Sequence, residues 1–114
     1  MKTKIFCDSA DFKTIKKLSH YSLVSGFTTN PSLMRQSGAN NYKAYSLKLL
    51  KASKKKPISF EVLGDTHKQM LNQAMIINSW GKNVYVKVLC HIDQKGIFQM
   101  GLLILIIHFF LIVC

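Results

Sequence analysis

A lysine set in the middle of an apolar run is the residue of this chain best suited to covalent chemistry. Val84-Tyr85-Val86-Lys87-Val88 reads as a strand, and Lys87 interrupts its apolar character. An ammonium in a strand core is costly unless it is paired or uncharged. A desolvated lysine gives up its proton more readily, and the free amine can attack a carbonyl carbon to form an imine. By the two-residue period of a strand, Tyr85 and Leu89 share the face of Lys87, while Val84, Val86 and Val88 form the other. Lys87 is therefore either an imine-forming residue or a solvent-facing lysine guarding an edge strand.

Three further positions bear on that choice. Asp8 ends a strand read at residues 4–7, Thr28-Thr29-Asn30 lie at the end of a second at 23–28, and Glu61 lies inside a third at 58–63. A carboxylate near a lysine imine can move the protons that imine chemistry requires. Each residue also has a plain structural reading. Asp8 could help cap the next helix, Asn30 could form an Asx-type turn before Pro31, and Glu61 could face a helix lysine. Their convergence is the stronger observation: four successive strands carry Asp, Thr/Asn, Glu and Lys towards their ends.

The elements that would position them follow from period and punctuation. Ser9 can cap a helix running to about Ser22, with Phe12, Ile15 and Leu18 on one face. Pro31 suits the first turn of a short helix that Gly38 closes. Asn40 or Asn41 starts a helix aligning Tyr45, Leu49 and Ala52, which the lysine run and Pro57 end. Thr66 and Gln69 form a capping box before a helix burying Met70, Ala74 and Ile77, with Gly81 as its stop. A fourth strand covers Asn83 to Leu89. Strands alternating with helices predict an α/β protein with a parallel sheet, whose chemistry gathers at the C-terminal strand ends. The rhythm suits a (β/α) barrel or an open doubly wound sheet. No glycine-rich nucleotide loop is present.

Composition narrows the function classes. Of 16 basic residues only Arg35 is arginine, against 5 acidic ones, for a net charge of +11. Lysines spread over helices and loops read as solvated faces. No zinc finger, aromatic RNA-binding strand or DNA-reading helix accompanies them, so no nucleic-acid partner is expected. A basic surface does favour anionic substrates such as sugar phosphates. Cys7, Cys90 and Cys114 have no metal-ligand spacing and fit a reducing compartment. The N-terminus is not a signal peptide. The expectation is a cytoplasmic protein with no metal and no cofactor.

The motifs together resemble the transaldolase family. Phe6-Cys7-Asp8-Ser9-Ala10-Asp11 is similar to its opening strand, and Gly26-Phe27-Thr28-Thr29-Asn30-Pro31-Ser32-Leu33 to its GxTTNPSL signature. Ser59-Phe60-Glu61-Val62 resembles the third-strand SxEV, and Val84–Val88 the strand bearing the Schiff-base lysine. Spacing and order agree over residues 3–96, in the manner of the small bacterial-type members, which include fructose-6-phosphate aldolases. The resemblance implies the N-terminal half of a (β/α)8 TIM barrel. It implies that Lys87 forms the imine, Asp8 is the acid/base, Glu61 acts through a water, and Asn30 and Thr28 bind substrate. A dihydroxyacetone unit would pass from a ketose to an aldose phosphate, or leave as dihydroxyacetone in the aldolase branch. That branch typically has glutamine at the third-strand position, so Glu61 leans towards transaldolase.

The likeness fades after the lysine strand. Val88-Leu89-Cys90-His91 lacks the family's proline, Gln94-Lys95-Gly96 still resembles its next loop, and an amphipathic helix should follow. Instead, every residue from Gly101 to Cys114 except Gly101 and His108 is apolar. Residues 1–100 thus read as a partial barrel and 101–114 as a separate tail. The tail fits a frame-shifted reading best. The other accounts are a buried element of a half-barrel that forms homo-oligomers, and a membrane segment, for which roughly 20 residues are needed. The expected function is a transaldolase-like Schiff-base enzyme, inactive as this piece. Fructose-6-phosphate aldolase and a non-catalytic membrane-anchored protein are the alternatives.

Overall fold

The computed structural model describes residues 3–88 and the short strands at 91–92 and 98–99. Leu89, Cys90, the Gln94–Gly96 loop and the 101–114 tail lie outside the described residues. Four strands, β1 (Ile5–Asp8), β2 (Val24–Thr28), β3 (Ile58–Glu61) and β4 (Val84–Lys87), alternate with helices. Helix α1 is Phe12–Leu18, α2 Pro31–Gln36, α3 Tyr42–Ala52 and α4 His67–Asn78. The strands are all parallel and lie in the order β1-β2-β3-β4. A doubly wound sheet reverses direction from a central strand, whereas here each strand is added beside the one before it. The fold is α/β, with the sheet order of the N-terminal half of a TIM barrel.

Alternation divides the sheet into two faces. Cys7, Phe27, Ile58, Phe60, Val62 and Val84 join Ile15, Met34, Leu49, Met70, Ala74 and Ile77 from the helices in one buried core. Val86 and Val88 pack against it, so Val84, Val86 and Val88 do face the helices. The opposite face carries Phe6, Asp8, Gly26, Thr28, Ser59, Glu61, Tyr85 and Lys87, as the pairings Asp8↔Thr28, Thr28↔Ser59 and Glu61↔Lys87 require. Gly26 is needed on that face because a Cβ there would meet the Phe6 ring and the Pro57 carbonyl oxygen, each at 2.6 Å.

Local signals account for most element ends. Thr66 and Gln69 form the anticipated capping box, and the Asn41 side chain caps α3. Three helix ends differ from expectation. Helix α1 is capped by Asp11, not Ser9: Asp11 Oδ2 accepts from the Thr14 N–H at 2.9 Å and the Thr14 hydroxyl at 2.7 Å. Ser9 instead accepts from the Asp11 N–H, and α1 ends at Leu18 with Ser19 as its C-cap. Ser79, not Gly81, caps α4, and Gly81 serves a close approach to Leu50. After β4 the chain forms β5 (His91–Ile92) and β6 (Phe98–Gln99), an antiparallel pair that the sequence pattern did not anticipate. No helix among the described residues is long and apolar enough to cross a membrane.

Two stability predictions follow from these contacts. Asp11→Ala should cost about 1 kcal/mol in urea unfolding. The Thr14 hydrogen bonds hold the Asp11 carboxyl below the usual aspartate range. Its contribution is therefore present above that range and is lost as pH falls through the lowered value, so the wild-type and Ala chains should converge in acid. Gly26→Ala should destabilise by roughly 1–3 kcal/mol or more. Adding Phe6→Ala should relieve only part of the loss, because the Pro57 carbonyl remains in the way.

Candidate active site

The candidate residues meet at the C-terminal ends of the parallel strands, on the face away from the helices. Register pairing sets two couples side by side. Asp8 lies opposite Thr28, and the Thr28 hydroxyl donates to Asp8 Oδ1 at 2.9 Å. Asp8 is thus held by the neighbouring strand and does not cap α1. Glu61 lies opposite Lys87, with Glu61 Oε2 3.7 Å from Lys87 Nζ. That places Glu61 against the strand lysine and not against a helix lysine. At 3.7 Å the two groups attract without a direct hydrogen bond.

The Lys87 side chain is 35% exposed and that of Glu61 13%. Lys87 is therefore not the fully buried ammonium that the strand pattern anticipates. Its Nζ is held instead by direction: it donates to the Thr29 carbonyl at 2.8 Å. Thr29 follows β2, so the lysine of β4 reaches across β3 to the end of β2. Thr29 is itself fixed to β3, its hydroxyl donating to the Ser59 carbonyl at 2.6 Å and its N–H to the same oxygen at 3.2 Å. The side chain of Thr29 is fully buried. Within the candidate set the sequence reading passed over Thr29 in favour of its neighbours Thr28 and Asn30, although the Thr-Thr pair before Asn-Pro was the available signal.

Asn30 has a structural duty. Its Oδ1 accepts from the Leu33 N–H at 2.9 Å and caps α2, with Pro31 in the first turn. The cap uses the amide oxygen and leaves the NH2 group, two donors, for another acceptor. Asn30 is thus brought to the same strand end as the other four, but with half of its polar capacity already committed to the helix.

Tyr42, the first residue of α3, is a further member that the sequence reading did not single out. Its hydroxyl donates to the Glu61 carbonyl at 2.8 Å and accepts from the Glu61 N–H at 3.1 Å. Burial pushes the phenol up to about 12, and the nearby Glu61 charge adds to the rise against the opposing backbone hydrogen bond. A tyrosine opening a helix carries no sequence mark of this role. A separate hollow of about 430 Å³, lined by Phe12, Lys16, Lys48 and Lys51 among others, involves α1 and α3 and shares no residue with the strand ends.

A carboxylate steadied by a hydroxyl, a second carboxylate beside a lysine and a carboxamide with free protons can together bind a hydroxylated carbonyl compound and move its protons. The Transaldolase/Fructose-6-phosphate aldolase family profile matches residues 5–93. The chain is 35% identical over 85 residues to a probable transaldolase of Dehalococcoides mccartyi, covering 75% of this chain and 39% of that protein. It is 36% identical over 90 residues to a probable transaldolase of Brucella anthropi, covering 79% of this chain and 41% of that protein. A probable transaldolase of Maridesulfovibrio salexigens is 33% identical over 85 residues, covering 75% and 39%. The chain thus spans about two-fifths of the length of these curated relatives. With the profile match over most of its length and the parallel strand order beneath it, this chain belongs to the transaldolase/fructose-6-phosphate aldolase family.

Proposed function

We propose that the strand-end face is the imine-forming half of a transaldolase-type site. The observation that carries the proposal is Lys87 Nζ, directed by the Thr29 carbonyl and placed 3.7 Å from Glu61 Oε2 on the inner face of the sheet. Lys87, as the free amine, attacks C2 of a ketose phosphate. The carbinolamine loses water to give an iminium, and Glu61 moves the required protons through a water. Asp8 takes the proton of the C4 hydroxyl as the C3–C4 bond breaks, and the bonding pair flows into the iminium to leave an enamine. Thr28 orients the Asp8 carboxylate by donating to it. Asn30 offers its amide protons to the hydroxyl groups of the retained three-carbon unit.

In transfer, C3 of the enamine attacks the carbonyl carbon of an aldose phosphate, Asp8 returns the proton, and water hydrolyses the new imine. Glu61 has a carboxylate where the aldolase branch typically has a carboxamide, which favours transfer over release of dihydroxyacetone. Sugar phosphates are the proposed partners, in keeping with the net charge of +11. The chain needs no cofactor in this reading, because the lysine imine is itself the electron sink. A cytoplasmic setting fits it.

Two outcomes test the proposal. Incubation of the 114-residue chain with fructose 6-phosphate and borohydride should leave a mass adduct that maps to Lys87. Lys87→Met should abolish it. An adduct spread over the surface lysines and unchanged in Lys87→Met would sink the assignment. Three-carbon transfer to erythrose 4-phosphate, by contrast, should be absent or very weak for this chain alone, since it corresponds to about two-fifths of its relatives. Robust transfer by the isolated chain would show that the described strands and their flanks suffice.

A further inference from the structure

The edge of β3 that faces β2 has backbone groups to satisfy beyond the point where β2 ends. In a parallel ladder alternate residues of a strand point their N–H and C=O to the same neighbour. Ile58 and Val62 bond β4, through Ile58 N–H to the Asn83 carbonyl and Val62 N–H to the Lys87 carbonyl. Ser59 bonds the β2 side, its carbonyl receiving the Thr29 N–H. Glu61 is the next residue pointing that way, but the chain has by then turned at Asn30-Pro31 into α2. Its N–H and C=O would be left without a strand partner, an unfavourable state for partly buried backbone. The Tyr42 hydroxyl takes up both at 2.8 and 3.1 Å, so one phenol stands in for the missing stretch of β2.

We propose that Tyr42 is a positioning residue for Glu61: by clamping both backbone groups of Glu61 it fixes the direction of the carboxylate beside Lys87. The claim rests on the imine-forming reading of Lys87 and adds a residue that touches no substrate. The clamp is itself braced. The Tyr42 ring lies 6.4 Å from that of Trp80, which packs edge-on to Phe60 at 5.9 Å, and Phe60 precedes Glu61 in β3. The phenol remains protonated across the range in which an imine forms, because burial holds it up to about 12. Its donor to the Glu61 carbonyl therefore persists through that range.

The test uses the full 114-residue chain, dihydroxyacetone and cyanoborohydride, with the rate of Lys87 modification followed by peptide mass as a function of pH. Tyr42→Phe should slow trapping roughly tenfold to a hundredfold, as expected for a misplaced proton-transfer group, and should shift the pH profile. In a Glu61→Gln background the same substitution should have little further effect, because the group it positions is gone. Tyr45→Phe is the structural control. It removes a comparable phenol that donates to the Ala10 carbonyl at 2.8 Å, away from Glu61, and should leave the pH profile unchanged. Full additivity of Tyr42→Phe with Glu61→Gln, or an equal effect of Tyr45→Phe, would overturn the proposal. If the wild-type chain forms no adduct at Lys87, the imine reading fails while the clamp remains testable. Hydrogen exchange at the Glu61 N–H should then accelerate in Tyr42→Phe and not in Tyr45→Phe, and equal exchange in all three chains refutes the clamp.

Discussion

The buried Thr29 ties the candidate site together. One short residue joins three strands: its N–H and hydroxyl both go to the Ser59 carbonyl of β3, and its own carbonyl receives Nζ of Lys87 from β4. The hydroxyl matters because the turn into α2 ends the β2 ladder at this point. A second bond to the same oxygen holds the end of the strand where the ladder no longer does. With Thr29 fixed, its carbonyl is a stationary acceptor, and the flexible lysine stem acquires a direction. The pairings Asp8↔Thr28 and Glu61↔Lys87 then put the two carboxylates on the same face as that amine.

The two-residue period of the strands separates stability from chemistry. Phe27, Phe60 and Val84 face the helices and build the core, while their immediate neighbours Thr28, Glu61 and Tyr85 face the other way. The polar face is only partly covered by the described residues, as the 35% exposure of Lys87 indicates. Its charges are thus handled by partners in register and not by deep burial. This is a less demanding arrangement than a wholly buried ion pair, for which desolvation would have to be matched by ideal geometry.

Much of this arrangement was legible in the residues, and the exceptions have physical causes. The four strands, the helix side of Val84, Val86 and Val88, and the gathering of Asp8, Thr28, Asn30, Glu61 and Lys87 at one end all follow from period and order. The capping box at Thr66 does as well. Asp11 displaced Ser9 as the α1 cap because two residues can each accept from a backbone N–H, and only the three-dimensional path decides between them. Tyr42 could not be found by pattern, since its role depends on where β2 stops relative to β3, a matter of register between segments far apart in the chain. The antiparallel pair after β4 was equally illegible, because it joins two segments of two residues each, too short to show a period. The Asn30 cap was legible only as an alternative, because the same carboxamide can serve the helix with its oxygen and a ligand with its nitrogen.

The aromatic brace has an optical consequence. Trp80 is the single tryptophan of the chain, and its indole is packed between the ring of Tyr42 and the ring of Phe60. Its Nε1 is buried without a protein partner among the described residues. Indole emission depends on the polarity around that ring, and the ring stands one side chain away from the backbone of Glu61. The molecule therefore carries an intrinsic fluorophore at the joint between its sheet and the residue beside its reactive amine.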